Sequence, residues 1–121
     1  HIPANPDTKY LFDKVQFDLM KKSALFVNTS RRDIVNEKAL INALKNKGIA
    51  GACLDVFSSE PIKGDNELLF LDNVILSPHV AAQSKEALER VGKEAAQNII
   101  KMLNGDIPKG VYNKELVSNN N

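Results

Sequence analysis

The chain has 121 residues, of which 43% are hydrophobic and 26% charged, the composition of a folded domain with a packed core. Lys and Arg total 16 against 15 Asp and Glu, so the charge balance gives no sign of binding to nucleic acid or to a membrane surface. No apolar run reaches the roughly 20 residues needed to cross a bilayer, and the single cysteine, Cys53, excludes an internal disulfide and a cysteine-rich metal site. We therefore expect a cytoplasmic protein and interpret Cys53 as a small buried hydrophobe.

The apolar segments of the chain predict a βαβ unit. Three short segments, residues 24–28, 49–57 and 73–78, are continuously apolar, which is typical of parallel strands buried on both faces. A helix is predicted at 13–21, before the first strand. Between the first two strands, helical spacing is shown by Ala39, Leu40, Ala43 and Leu44, and Gly48 is placed to end that helix.

A long amphipathic helix follows the third strand. Its apolar stripe consists of Ala87, Leu88, Val91, Ala95, Ile99, Met102 and Leu103, and Gly105 ends it. We expect a short extended piece at Val111 and Tyr112, and a disordered end from the SNNN tail. The predicted class is α/β with a doubly wound parallel sheet. The chain would divide into a domain portion at residues 1–104 and a tail at 105–121. Since three strands leave such a sheet with an open edge, we expect half of the domain to lie upstream.

Polar residues follow all three predicted strands. Ligands of open parallel sheets bind outside the carboxyl ends of the strands. The residues found there are Thr29, Ser30, Arg31, Arg32 and Asp33 after the first strand, Asp55 and Glu60 around the end of the second, and His79 after the third. Each taken alone is more simply a solvated charge, a turn residue or a helix cap, and capping is our interpretation for Asp33 and Asn36. Their placement at three strand ends together favours a functional site.

The chemistry of such a set is limited. An imidazole donates or accepts a proton near neutral pH, and a neighbouring carboxylate favours its protonated form. A guanidinium binds a carboxylate or a carbonyl oxygen through two parallel hydrogen bonds. The set suits a small acid with a carbonyl or hydroxyl group. The sequence offers neither a metal-ligand cluster nor a nucleophile elbow, so we expect no metal, and a redox step would need a cofactor.

Four segments in order resemble the D-isomer-specific 2-hydroxyacid dehydrogenases, a family that includes D-3-phosphoglycerate dehydrogenase, glyoxylate/hydroxypyruvate reductase and D-lactate dehydrogenase. They are HIPANPDTKYLF, VNTSRRDIVNEKAL, GACLDVFSSEP and LSPHVAAQSKEA. The similarity extends from His1 to about Asn113. It implies the carboxyl-terminal half of a Rossmann-like NAD-binding domain, with a tail that returns to a substrate domain.

The resemblance also implies residue roles. Arg31 would hold the substrate carboxylate and polarise its carbonyl, His79 would be the acid/base, and Glu60 would keep that imidazole oriented and protonated. The cofactor would be NAD, with NADP not excluded. The residues bordering it would be Ile2 and Pro3 on the adenosine side, Thr29 and Ser30 near the nicotinamide half, Asp55 at the carboxamide, and Arg31, His79 and Ala82.

Three positions distinguish this chain within the resemblance. Arg32 stands where the family has glycine, and a positive φ there would make arginine costly; its charge could also reach an anionic substrate. Asn36 replaces the usual aspartate and should still cap a helix. Glu60 argues against the formate dehydrogenase branch, which carries glutamine at that position.

The sequence lacks the G-x-G-x-x-G fingerprint that binds the pyrophosphate of a dinucleotide. We therefore expect the chain to be part of a longer protein and to be inactive alone. The resemblance implies that the longer protein is a homodimeric enzyme acting on a 2-keto or 2-hydroxy acid. Glyoxylate, hydroxypyruvate or 3-phosphoglycerate is preferred, the last belonging to serine biosynthesis. The alternative is an NAD(H)-sensing regulatory protein on the same scaffold, similar to the C-terminal binding protein co-repressors. A purely structural fragment is a third.

Overall fold

Across residues 2–113, which the computed structural model describes, three parallel strands pair side by side in chain order. They are β1 (Leu25–Asn28), β2 (Gly51–Leu54) and β3 (Val74–Leu76). Helix α1 (Lys14–Asp18) precedes β1, and helix α2 (Glu37–Lys45) connects β1 to β2. This arrangement confirms the predicted α/β class with a parallel sheet.

The chain contains further helical elements. Two short 3-10 helices, Arg32–Ile34 and Glu67–Phe70, were not predicted, and the predicted long helix is α3 (Lys85–Leu103). The chain divides into two compact units, the first ending at Ala81 and the second beginning at Ala82. The sheet, α1 and α2 thus belong to the first unit and α3 to the second.

The register of the sheet aligns the ends of the three strands. Asn28, Leu54 and Leu76 are neighbours across β1, β2 and β3. The ladder continues one residue further, because the Asp55 N–H donates to the Asn28 carbonyl at 3.0 Å and the Ser77 N–H donates to the Leu54 carbonyl at 2.9 Å. Residues that follow the strands therefore meet at one edge of the sheet.

The core of the first unit lies on one face of the sheet, where both helices pack. Its buried side chains include Phe17 of α1, Leu40, Ile41 and Leu44 of α2, and Phe26, Ala52 and Leu54 of the strands. Phe17 and Phe26 meet edge to face with ring centroids 5.2 Å apart. Helix α1 begins with a capping box between Asp13 and Gln16, and Asn36 caps α2 as predicted, its side-chain oxygen accepting from the Ala39 N–H at 3.4 Å.

The opposite face of the sheet is exposed, and the prediction of strands buried on both faces is wrong for β1 and β3. Leu25 is 68% exposed, Val27 61% and Ile75 69%. Cys53, predicted to be buried, lies on this same face and is only half-buried. The reason is that α1 and α2 both pack against the other face, so burial along β1 alternates residue by residue.

The helix ends differ slightly from the predicted ones. The left-handed residue that ends α2 is Lys47, with φ of 53°, and the predicted Gly48 follows it and donates to the Ala43 carbonyl at 2.8 Å. Gly105 ends α3 as predicted, with φ of 84°. At Val111 and Tyr112 the structure has no strand but the start of a turn. The SNNN tail lies outside the described residues.

The apolar stripe of α3 is exposed except for the half-buried Ala87, and none of the residues of that helix is buried. Within residues 2–113, no helix combines the length and the apolar character that a membrane crossing requires.

Gly51, the first residue of β2, is placed where a side chain does not fit. A Cβ there would lie 2.6 Å from the Asn73 carbonyl oxygen, which itself accepts from the Ala52 N–H in the ladder at 3.0 Å. We expect Gly51→Ala to lower the free energy of unfolding by about 1–3 kcal/mol, measured by urea denaturation. Gly64→Ala is the matched control, because no heavy atom lies within 4 Å of its added Cβ. Equal stability of the two variants would contradict this assignment.

Candidate active site

A buried asparagine organises the turn that presents Arg31. Asn28, only 7% exposed, ends β1. Its side-chain oxygen accepts from the Ser30 N–H at 3.0 Å, and its amide donates to the Arg31 carbonyl at 3.3 Å. The Arg31 side chain is exposed, and its Nη1 donates to the Ser30 carbonyl at 2.8 Å. Arg31 thus lies at the edge of the sheet where the strands end, on a turn that the buried Asn28 side chain holds in place.

The amino-terminal segment lies against the same turn. The Ser30 hydroxyl donates to the Ile2 carbonyl at 3.0 Å. An open cavity of about 440 Å³ is lined by Ile2, Pro3, Ala4, Thr29, Ser30 and Arg31. The structure therefore brings together five of the residues that the sequence predicted to border a cofactor.

Asp55 is the anchor of the loop that follows β3. It is 2% exposed. Its Oδ1 accepts from the Ser77 hydroxyl at 2.6 Å and from the Val80 N–H at 2.9 Å, and its Oδ2 accepts from the Ala81 N–H at 2.8 Å. A single carboxylate thus fixes both sides of His79.

The charge of Asp55 is stabilised by these donors. Burial acts to raise the pKa of Asp55. The hydrogen bonds from Ser77, Ala81 and Val80, together with the nearby His79 imidazole, outweigh burial and leave that pKa below its ordinary value. Asp55 therefore remains ionised at neutral pH, and both of its oxygens accept hydrogen bonds from the loop.

His79 stands on this loop in an unusual backbone conformation. Its φ is 55°, in the left-handed region, and its N–H donates to the Ser77 carbonyl at 3.0 Å. Residues other than glycine seldom adopt this conformation unless the surrounding structure imposes it. The Asp55 contacts on both sides of His79 supply that constraint.

His79 pairs with Glu60. The Nδ1 atom of His79 lies 2.7 Å from Oε2 of Glu60, and Oε1 of Glu60 accepts from the Phe57 N–H at 3.1 Å. The hydrogen bond with His79, and then that from Phe57, outweigh burial and hold the pKa of Glu60 below its ordinary value, with a smaller contribution from the charge of Arg32. An ionised Glu60 therefore holds the imidazole in one orientation.

Arg32 begins the first 3-10 helix, and its φ is not positive. The backbone cost expected for an arginine in place of glycine is therefore not incurred here. Its guanidinium lies 3.7 Å from the Asp33 carboxylate. Asp33, interpreted from the sequence as a helix cap, lies inside the 3-10 helix instead.

The structure thus places the predicted residues in two groups at one edge: the Arg31 turn with its cavity, and the Asp55, Glu60 and His79 cluster. Ala82, also predicted, is exposed and is the first residue of the second unit. Asn28 and Ser77 were missed, although a polar residue at the end of each apolar run was a visible signal. Residues 2–113 contain no group of three or more His, Cys, Asp and Glu side chains placed to hold a metal ion.

The first compact unit of the chain matches a known protein family. Residues 1–81 match the family described as D-isomer specific 2-hydroxyacid dehydrogenase, NAD binding domain. The chain belongs to this family. The matched span ends where the first compact unit ends, and it contains Arg31, Asp55, Glu60 and His79.

Members of the dehydrogenase family match nearly all of this chain. A glyoxylate reductase of Korarchaeum cryptofilum is 44% identical over 117 residues, which are 97% of this chain and 35% of that protein. A D-3-phosphoglycerate dehydrogenase of Methanocaldococcus jannaschii is 45% identical, over 93% of this chain and 21% of that protein.

A solved structure also matches. The NAD-complexed D-isomer specific 2-hydroxyacid dehydrogenase of Lactobacillus delbrueckii ssp. bulgaricus has a TM-score of 0.83 and 27% identity, over 92% of this chain and 38% of that one. The chain thus spans between 21% and 38% of the length of these relatives.

Proposed function

We propose that this chain is the carboxyl-terminal part of an NAD-dependent oxidoreductase of D-2-hydroxy acids, with NADP as the alternative cofactor. The observation that carries the proposal is the contact of 2.7 Å between His79 and Glu60, on a loop anchored by buried Asp55. An imidazole paired with an ionised carboxylate is suited to proton transfer near neutral pH.

Four residues of the chain have separate roles in the proposed reaction. With Nδ1 paired to Glu60, His79 transfers the proton on Nε2 to the substrate carbonyl oxygen in reduction and removes it in oxidation. Arg31 binds the substrate carboxylate through its planar guanidinium. Ionised Glu60 keeps the imidazole in one orientation. Asp55 holds the His79 loop, and its predicted contact with the nicotinamide carboxamide remains part of the proposal.

The cavity beside Arg31 supports a dinucleotide. It is open, and it offers the apolar side chains of Ile2 and Pro3 beside the polar groups of Thr29 and Ser30, which suits a ligand with an apolar ring and polar substituents. The nicotinamide cofactor supplies the hydride. The relative from Lactobacillus delbrueckii was solved with NAD, which supports NAD as the cofactor.

The preferred substrates are glyoxylate, hydroxypyruvate and, in the oxidative direction of serine biosynthesis, 3-phosphoglycerate. The names of the glyoxylate reductase and D-3-phosphoglycerate dehydrogenase relatives support them. The proposal includes a cytoplasmic protein, and a homodimer as the family resemblance implies. Residues 1–104 would be the carboxyl-terminal part of the nucleotide-binding domain, and the tail from 105 would return to a substrate domain.

The test is a substrate panel on the full-length protein. NADH and NADPH oxidation is followed at the nicotinamide absorption band with glyoxylate, hydroxypyruvate, pyruvate and phosphohydroxypyruvate. Turnover of one of them supports the proposal and names the substrate, whereas the 121-residue chain alone is expected to be inactive. Tight NADH binding without turnover on any of them would overturn it in favour of a regulatory protein.

A further inference from the structure

A second carboxylate, Glu37, holds the loop that carries Glu60. Glu37 is the first residue of α2 and lies outside the groups described above. Its Oε2 accepts from the Ser58 N–H at 2.8 Å, and its Oε1 accepts from the Ser58 hydroxyl at 2.7 Å and from the Asn66 amide at 3.0 Å. One side chain of α2 thus fixes both ends of the 58–66 loop.

The contact between Glu37 and Ser58 is connected to Glu60 through adjacent peptide groups. The Phe57 N–H donates to Glu60 and the next N–H along the chain, that of Ser58, donates to Glu37. The Phe57 side chain is 4% exposed, so that part of the chain is also held by the core. The two N–H groups lie on either side of the Phe57 Cα. A displacement of Ser58 would therefore shift that Cα and, with it, the Phe57 N–H that orients the Glu60 carboxylate.

We propose that Glu37 is a positioning residue for the Glu60–His79 pair. The inference rests on the proposed function, since it assigns Glu37 a part in the same proton transfer. Helix α2, fixed in the core by Leu40 and Leu44, serves as the rigid support, and Glu37 transmits that rigidity to the loop. Catalytic groups displaced by about 1 Å lose up to about a hundredfold in rate, so the tie is sufficient to affect turnover.

The test compares Glu37→Gln with Lys45→Met in the full-length protein. Lys45, at the other end of α2, pairs with Glu67 and so also joins the helix to the region after the loop, but it does not contact Ser58. We expect Glu37→Gln to lower kcat about ten- to hundredfold with KM for the 2-oxo acid changed less than about twofold. Lys45→Met should leave both constants unchanged, and Glu37→Asp should recover part of the lost kcat.

A double variant separates positioning from plain destabilisation. If Glu37 acts through Glu60, then Glu37→Gln combined with Glu60→Gln should be no slower than Glu60→Gln alone, because interacting residues are not additive. Multiplying effects, or an unchanged kcat with only a lower Tm for Glu37→Gln, would overturn the inference.

A readout independent of activity distinguishes this inference from the proposed function. Hydrogen exchange of the Phe57 amide should accelerate in Glu37→Gln and stay as in the unmodified protein in Lys45→Met. Unchanged exchange at Phe57 would overturn the positioning role even if the protein turns over a 2-oxo acid. Faster exchange in a protein that turns over none of the panel would support the structural tie while the proposed reaction fails.

Discussion

His79→Asn is expected to lower kcat of the full-length protein by about 10²- to 10⁴-fold, because the variant loses the group that transfers the proton. Asparagine is the appropriate replacement. His79 has φ of 55°, and asparagine is among the few residues other than glycine that adopt the left-handed region with little cost. The backbone of the loop should therefore be retained while the acid/base is removed. Stopped-flow and steady-state NADH oxidation on the substrate identified by the panel measure the effect.

A second variant at the same position provides the control. His79→Ala removes the same group but places a residue that disfavours positive φ in the loop. We expect its Tm to be lower than that of His79→Asn, with a similar loss of kcat. If His79→Asn retains kcat within about threefold of the unmodified protein, then His79 is not the acid/base and the proposed mechanism fails.

Asp55→Asn is expected to destabilise the protein by about 2–4 kcal/mol at neutral pH and to reduce kcat together with it. The asparagine keeps one oxygen and replaces the other with an NH2 group. In either orientation that NH2 group would face a backbone N–H, that of Val80 or that of Ala81, which is itself a donor. A buried donor left without an acceptor costs about 1–3 kcal/mol. The loop that holds His79 at positive φ would lose its anchor, so the two losses share one cause.

The destabilisation caused by Asp55→Asn should decrease as the pH falls. The pKa of Asp55 is lower in the folded protein than its ordinary value, which is about 3.9 in an unfolded chain. Its contribution to stability is therefore fully present above about pH 4 and is lost as pH falls through the folded-state pKa. The difference in free energy of unfolding between the unmodified protein and Asp55→Asn should shrink below pH 4, as measured by urea denaturation at successive pH values. A difference that stays constant down to pH 2 would show that the charge of Asp55 is not what stabilises the loop.

The sequence was sufficient to predict the three strands, the three α-helices and the edge of the sheet where the candidate residues meet. Continuous apolar runs predicted β1, β2 and β3, and because parallel strands end at one edge, the residues after them had to meet there. The contact between Glu60 and His79 was predicted through the family resemblance, and the structure places the two side chains 2.7 Å apart.

The supporting contacts were not predictable in the same way. Asp55 binds the loop at Val80 and Ala81, and Glu37 binds Ser58 and Asn66, across separations of more than 20 residues. Periodicity reports which face of an element is apolar, but it does not report which distant N–H group a carboxylate will meet. The exposure of Val27 was missed for a related reason, since an apolar run does not specify whether one or both faces of its sheet are covered.

We expect the exposed apolar side chains of Leu25, Val27 and Ile75 to make the 121-residue chain associate as its concentration rises. The exposure of apolar side chains to water is unfavourable, and contact with another apolar surface removes them from water. The chain should therefore remain dispersed when dilute and associate as it is concentrated, and moderate chaotrope or mild detergent should disperse it again before the core melts. Choices of buffer and protein concentration thus decide whether spectroscopic work on the chain observes single molecules or clusters.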